Sequence, residues 1–309
     1  MNLSDFLCRR LGLSGDQLIS YARTCPNRYK KYKIKKRQGG DREIAQPAKN
    51  LKVIQRILIN EVLQKKMPVH PAATAYRIGK SILDNAEPHL QNSFLLKMDF
   101  KNFFPSISSS DFAAYIVRND ELNNFDEREI DLLINFLFMQ RQEKKVLSIG
   151  APSSPFLSNA LMFEFDAKLT LLADKYKISY TRYSDDLSFS TNEPNRLFEW
   201  PLVVKETLQS IDSPTIKINQ NKTVFSSRKH NRHITGVTIS NDGNASLGRQ
   251  RKRSIRTKIY LLKTKEMTKK EIESLRGLVA FANVIEPSFV KKLKEKYPQQ
   301  MTILASTKV

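Results

Sequence analysis

The tetrapeptide Tyr183-Ser184-Asp185-Asp186 stands between two runs, Ile178-Ser179-Tyr180-Thr181-Arg182-Tyr183 and Leu187-Ser188-Phe189-Ser190-Thr191. Both alternate apolar or aromatic residues with polar ones and are rich in strand formers, so they read as the two arms of a hairpin. With Ser184 and Asp185 in the turn, Tyr180 faces Phe189 across the ladder, an aromatic pair of the kind that stabilises a sheet. Successive side chains of a straight strand point to opposite faces, so adjacent carboxylates converge on one site only at a turn. Held that close they repel, and divalent cations are the usual compensation. Asp also favours turns for local hydrogen-bonding reasons. The tetrapeptide alone therefore supports two readings, an acidic turn and a metal site.

Composition bears on that choice. The 309 residues contain 52 Lys plus Arg against 31 Asp plus Glu, a net charge of +21, which implies a polyanionic partner. With 40% hydrophobic and 27% charged residues, the chain reads as folded and globular rather than as a basic tail. It has no apolar run of about 18 residues, and Met1 to Arg10 lacks a signal-peptide core, so a cytoplasmic protein without membrane contact is expected. Cys8 and Cys25 are far apart with no CxxC pair, and are expected to be free thiols.

The positive charge falls in two zones. From Arg23 to Arg37, RTCPNRYKKYKIKKR has eight basic residues and no acidic one, with Tyr29 and Tyr32 interleaved. Such a segment suits phosphate neutralisation with base stacking, although a solvated basic loop has the same composition. Residues 237–309 hold 16 Lys plus Arg and 6 Asp plus Glu. There Ile255, Ile259 and Leu262 recur at helical spacing, which leaves Arg249, Arg251, Lys252, Arg253 and Arg256 for a nucleic-acid backbone.

Lys49 to Gln64 reads as an amphipathic helix, Phe94 to Phe100 as a strand, and Ser110 to Val117 and Ile130 to Phe138 as helices. In Gly150-Ala151-Pro152-Ser153-Ser154-Pro155, Ser154 is the expected N-cap of one long helix from Phe156 to Tyr176, whose amides could face a phosphate. Phe198 to Ile211 is a further helix, Ile216 to Phe225 includes a strand, and His233 to Ser240 reads as another. Helices are expected at 269–285 and 287–297. A third acid, Asp99, ends the apolar run Phe94-Leu95-Leu96-Lys97-Met98, where a carboxylate is expensive unless metal or hydrogen bonds compensate.

In this order, MDFKNFFPSI, GAPSSP, YTRYSDDLSFS, INQNKT and HITGVTIS resemble the five palm motifs of the reverse transcriptase family, from about Pro47 to the end of the chain. Asn85-Ala86-Glu87-Pro88-His89 is similar to the NAxxH element, and Ile234-Thr235-Gly236 to the VTG element, of bacterial retron reverse transcriptases. The resemblance implies an α+β right-hand polymerase with fingers, a palm built on an antiparallel sheet, and a small helical thumb. Expected divisions are 1–91 for the N-terminal region and fingers, 92–236 for the palm with the remaining fingers elements, and 237–309 for the thumb.

It further implies an RNA-directed DNA polymerase in which Asp99, Asp185 and Asp186 hold two Mg²⁺ ions with the Phe100 backbone. Deoxynucleoside triphosphates would meet Arg77 or Lys80, Phe104 as a gate beneath the sugar, Gly150 and Ala151 of the second motif, and Lys222 as proton donor. Asn85 and His89 would touch the cognate structured non-coding RNA. Part of that RNA would be copied into branched RNA-linked single-stranded DNA, with an effector protein, in antiphage defence. An RNA-binding scaffold on a polymerase fold and a free-standing group II-like enzyme are the alternatives. One departure stands out: the family has Gln before the Gly of the second motif, and this chain has Ile149, which bears on nucleotide selection or fidelity.

Overall fold

The alternation around Ser184 and Asp185 produces the expected hairpin, and the rest of the chain is arranged about it. The computed structural model describes residues 2–35, 39–264 and 267–306, so Lys36 and Arg37, at the end of the basic run, lie outside the described residues.

The chain begins with α1 (Leu3–Leu11) and α2 (Gly15–Thr24), followed by a hairpin of β1 (Tyr29–Lys35) and β2 (Asp41–Pro47). Tyr29–Lys35 of the basic run is therefore a largely exposed strand rather than a loop, while its first residues end α2 and form a 3-10 turn. α3 (Lys49–Ile57) continues through a π-helical stretch, Leu58–Leu63. α4 (Ile82–Ala86) and a 3-10 turn (Glu87–His89) precede β3 (Phe94–Lys101), α5 (Phe103–Ser106), α6 (Ser109–Arg118) and α7 (Glu127–Leu137). The small hairpin of β4 (Met139–Arg141) and β5 (Lys144–Val146) leads into α8 (Ser154–Leu161) and α9 (Phe163–Lys175). The central hairpin is β6 (Ser179–Tyr183) and β7 (Asp186–Thr191). After it come α10 (Trp200–Gln209), β8 (Lys217–Ile218), β9 (Val224–Ser227), β10 (Arg232–Ile234), β11 (Val237–Ile239) and β12 (Ala245–Ser246). Four helices follow, α11 (Arg249–Thr264), α12 (Lys269–Ile285), α13 (Pro287–Lys296) and α14 (Pro298–Ser306).

Local chemistry explains many of these boundaries. Capping boxes at Ser14/Gln17, Ser81/Asp84, Ser108/Asp111, Asp126/Glu129 and Thr268/Glu271 start α2, α4, α6, α7 and α12 by pairing otherwise orphaned amides. Three expectations need correction. The helix after the second motif begins at Ser154 itself, with Ser153 at the cap position in helical geometry and making no side-chain cap. It is also interrupted at Met162, whose ψ of 7° leaves the helical range, and upstream the Ser158 hydroxyl donates to the Pro155 carbonyl in competition with the backbone ladder. The segment His233 to Ser240 is two strands, because Thr235 and Gly236 both take positive φ, 46° and 88°, and turn the chain back.

The central sheet runs β6-β7-β3, with β8 and β9 each pairing part of the far edge of β3. One face carries Leu96, Met98, Phe100, Leu187, Phe189 and Tyr180 into the larger hydrophobic core, which α1–α3 and α6–α10 surround. Tyr180 and Phe189 stack at 5.0 Å, and Trp200 of α10 lies 5.2 Å from Phe189. The opposite face is largely polar: Lys97, Asp99, Asp186, Ser188, Ser190 and Thr181. The outer edge of β6 is covered, since Arg182 N–H donates to Ala72 and Thr74 N–H to Arg182. A second hydrophobic cluster joins α11–α14 to Ile234, Val237, Leu95 and Ala86. Replacing Phe189 by Ala removes the ring at the centre of this stack, and urea titration should show about 3–5 kcal/mol of destabilisation.

Candidate active site

The register between β3 and β7 places Asp99 directly opposite Asp186. Side chains on such a pair lie about 5 Å apart, and like charges there repel. Asp185 follows Ser184 in the two-residue turn, where Ser184 adopts a left-handed φ of 61° and is itself buried. The Phe100 N–H donates to the Asp185 carbonyl at 3.0 Å, so the backbones of the first and third motifs are tied together beside the acids. Asp99 is held from below: Asn219 donates its amide to Oδ1 at 3.0 Å, and the Lys222 ammonium meets Oδ2 at 2.7 Å. The INQNKT motif thus brings an amide and a cation to the carboxylate.

Crowding shows in the proton affinities. Desolvation, then the charge of Asp99, raises Asp185 above the ordinary carboxylate value, against Lys222 and Arg42. Asp186 is pushed up to about 6, first by desolvation at the crowded tip and then by Asp185 and Asp99, although the residue as a whole is open to solvent. Lys222 loses some solvation, yet its hydrogen bond to Asp99 and the charges of all three acids raise it overall. The lysine acts as counter-cation to the cluster. Among the described residues no three His, Cys, Asp or Glu side chains are placed to hold a metal ion as they stand. Asp99, Asp185 and Asp186 nonetheless supply carboxylate oxygens, the donor type that hard divalent cations take.

Asp99 and Asp185 line a cleft of about 550 Å³ whose walls come from distant parts of the sequence, with Asp41 and Glu43 of β2 also on its rim. Phe104 is half-buried there, with Phe103 behind it at 5.4 Å and Tyr76 at 6.4 Å. Arg42 of β2, Lys101 and Arg141 of β4 supply positive charge. Arg77 and Lys80 are not among the lining residues. Arg77 points back to the His70 and Ala73 carbonyls, and Lys80 pairs at 3.0 Å with Asp84 of the α4 capping box. The expected basic pair therefore belongs to its own loop, while Arg42 and Arg141 face the cleft. Gly150 and Ala151 line a smaller neighbouring hollow of about 270 Å³ that Phe104, Tyr76 and Ile149 also border. Gly150 has a φ of 125°, and a Cβ there would come within 3.1 Å of the Ala45 carbonyl, so the second motif lies hard against β2.

Residues 34–239 match the family described as reverse transcriptase (RNA-dependent DNA polymerase). The Escherichia coli retron Ec83 reverse transcriptase is 45% identical over 273 residues, covering 87% of this chain and 86% of that protein. The Escherichia coli retron Ec73 reverse transcriptase is 34% identical over 286 residues, covering 89% of each. The chain belongs to the reverse transcriptase family, in its retron branch. Its fold is the right-hand polymerase and its activity RNA-directed DNA polymerisation. Among solved structures, a foamy viral protease-reverse transcriptase in complex with RNA/DNA hybrid overlays with a TM-score of 0.46 at 15% identity, covering 91% of this chain and 30% of the viral one.

The Asn and His of the NAxxH element of this reverse transcriptase turn out to be internal. His89 is fully buried, its Nδ1 2.6 Å from the Ser190 hydroxyl and its Nε2 2.8 Å from the Thr181 hydroxyl. Asn85, also buried, accepts from Thr74 at 2.8 Å and reaches Thr235 of the VTG turn at 3.4 Å. The expectation that these side chains touch RNA is thereby corrected: they brace the polar face of the sheet against α4 and the β10–β11 turn. On α11, Arg249, Arg253 and Arg256 are exposed. Arg251 is tied to the Gly236 carbonyl at 2.9 Å, and Lys252 to Glu286 at 2.6 Å, which gives both a structural share. Arg228, His230, Arg249 and Arg251 border an open cleft of about 880 Å³ between this helix and β10–β11.

Burial pushes His89 down to about 3 from an ordinary 6.5, whereas Asp186 rises from 3.8 to about 6, and the two act oppositely on stability. Unfolding lets His89 take a proton below its ordinary value, so its contribution is present above pH 6.5 and drains away as pH falls toward 3. Asp186 holds its proton longer when folded, so its ionisation costs stability that is absent below pH 3.8 and complete above about 6. In metal-free buffer, Asp186→Asn should raise the thermal midpoint by about 2 °C near pH 8, after allowance for solvent screening, and leave it unchanged near pH 4. His89→Gln should flatten the loss of stability between about pH 6.5 and 4.5, read in the same melts.

Proposed function

We propose that this reverse transcriptase copies part of a cognate structured non-coding RNA into branched RNA-linked single-stranded DNA, with Asp99, Asp185 and Asp186 holding two Mg²⁺ ions. The observation that carries the proposal is the cross-strand pair of Asp99 and Asp186 beside the Asp185 turn, with Asp99 and Asp185 open on a cleft that Arg42, Lys101, Arg141 and Lys222 also line. The Phe100 backbone carbonyl completes the ligand set. Bound there, the metals supply activation of the primer hydroxyl and neutralisation of the triphosphate.

The remaining residues divide the work by position. Arg42 and Arg141 bind the triphosphate from the cleft wall, in place of Arg77 and Lys80. Phe104, stiffened by Phe103 and Tyr76, sits beneath the sugar and rejects a 2′-hydroxyl by bulk. The apolar Ile149 lines the same wall where the family has an amide, so base discrimination there relies on shape rather than a hydrogen bond. Lys222, charged and anchored on Asp99, delivers a proton to departing pyrophosphate. The exposed arginines of α11 and the adjoining cleft take the RNA backbone and its DNA product. Residues 1–91, 92–236 and 237–309 serve as N-terminal region with fingers, palm and thumb. The enzyme works in the cytoplasm with an effector protein in antiphage defence.

Co-expression with the flanking RNA gene should yield a small branched RNA-linked DNA. Asp185→Ala with Asp186→Ala should lower its amount by at least ~10³-fold, the loss of several kcal/mol of transition-state stabilisation. Unchanged DNA synthesis in that variant would leave only an RNA-binding scaffold, and copying of a generic primed template without branched product would leave a free-standing enzyme. Arg249→Glu with Arg253→Glu should weaken RNA binding and reduce the slope of log affinity against log salt by about 2, measured by filter binding.

A further inference from the structure

Arg182 has no place in the reaction described above, yet it makes more hydrogen bonds than any side chain beside the catalytic turn. It is fully buried on the core face of β6, two residues after Tyr180, where an arginine is costly unless every donor is engaged. Its Nε donates to Asp166 Oδ1 at 2.8 Å and its Nη2 to Oδ2 at 2.5 Å, a two-pronged grip on an acid of α9 that is also fully buried. Tyr180 donates its hydroxyl to the same carboxylate at 2.8 Å. The third nitrogen, Nη1, points elsewhere: at 3.1 Å it meets both the Ser184 carbonyl and Asn159 Oδ1 of α8.

Those last two contacts lead to two neighbouring segments of the cleft lining. The Ser184 carbonyl belongs to the peptide that enters Asp185. Asn159 passes its amide to the Ala75 carbonyl at 2.8 Å, and Ala75 precedes Tyr76, held at a φ of 61°. Tyr76 in turn meets Phe104 at 6.4 Å and Tyr183 at 6.3 Å, with its hydroxyl 3.4 Å from Ser184 Oγ. A left-handed Tyr and a left-handed Ser are each strained; the guanidinium binds the Ser184 carbonyl directly and reaches the Tyr76 segment through Asn159.

We infer that Arg182, locked by Asp166, is a positioning residue that fixes Asp185 of the metal-binding turn relative to the Tyr76–Phe104 wall of the nucleotide cleft. Two prongs on Asp166 set the guanidinium plane, so the direction of Nη1 is not adjustable, and a displacement of the turn would break bonds on both sides. Lysine keeps the charge but has one nitrogen and no fork, so it cannot hold Asp166, Ser184 and Asn159 together. This inference rests on Asp185 being a metal-binding carboxylate, which Asp185→Asn checks independently.

Pre-steady-state incorporation on a primed RNA template separates positioning from mere folding. Arg182→Lys should lower the burst rate about 10–100-fold at unchanged burst amplitude, raise the Mg²⁺ concentration for half-maximal rate, and leave template affinity as it was. Tyr180→Phe, which weakens the hold on Asp166 without touching the turn, should lower the thermal midpoint with little change in burst rate. If Arg182→Lys lowers only the amplitude, or if both variants slow the burst equally, the residue is structural and the inference falls. Should Arg182→Lys not fold, Asn159→Ala carries the test, because it cuts the relay from Arg182 to Ala75 while leaving the bonds to Asp166 and Ser184; a normal burst rate and Mg²⁺ dependence there would overturn the proposal. An Asp185→Asn enzyme that keeps its activity would refute the site reading instead, a distinct outcome.

Discussion

Like charges directly opposite one another on an antiparallel pair oppose folding, and this protein keeps such a pair, Asp99 with Asp186, at the rim of its central sheet. Much of the surrounding structure can be understood as compensation. Asn219 and Lys222 reach Asp99 from the segment after β8, and Lys97, on the same face as both acids, eases Asp186. The balance is deliberately incomplete. Proton affinities of Asp185 and Asp186 stay above the ordinary carboxylate range, which means that the tip binds positive charge more readily than an exposed acid would. A site that had neutralised itself with salt bridges would have no such appetite for cations.

The same constraint dictates how the sheet is supported. A register slip of one residue would move Asp99 to the core and Met98 to the polar face. That register is carried by the ladder between β3 and β7. The neighbouring β6–β7 pairing is held from both sides: Tyr180 stacks on Phe189 within the core, and His89 bridges Ser190 and Thr181 across the polar face. Complete burial favours the neutral ring there. The NAxxH element thus braces the hairpin whose turn carries Asp185.

The hairpin, its turn residues and the Tyr180–Phe189 pair were legible in the sequence, because period-two alternation and short-range turn chemistry leave local marks; Asp99 stood out as an acid ending an apolar run, and Lys222 only through its likeness to the fourth motif. The walls of the cleft were not. Arg42 lies among many exposed charges on β1 and β2, and no periodicity separates it from its neighbours; β2 reaches the site through long-range contacts, the packing of Gly150 against Ala45 and the bonds of Ala45 to Ile149 and Ser148. Arg77 and Lys80 looked equivalent to it on charge alone, and their nearby carbonyls and Asp84 decided otherwise. Asn85 and His89 were mistaken for contact residues because membership of a motif says nothing about burial. Arg182 did leave a mark: it follows Ile178 and Tyr180 at the spacing of the core-facing side, which calls for a buried partner such as Asp166.

That buried pair explains why the polymerase site has a rigid floor. A surface ion pair of this kind would contribute little and bend easily, whereas a fully buried, forked pair is intolerant of displacement even when its net effect on stability is small. Rigidity of the turn and openness of the acids are then separable properties. The first is set on the core face by Arg182, Asp166 and Asn159, and the second on the polar face, where Asp99 and Asp186 stand opposite each other and only Asp99 is ion-paired. One hairpin serves both because its two faces belong to different chemistry. The core face can be held immobile without neutralising the charge that the reaction uses, and the charged face can exchange cations and phosphates without loosening the strand that carries it.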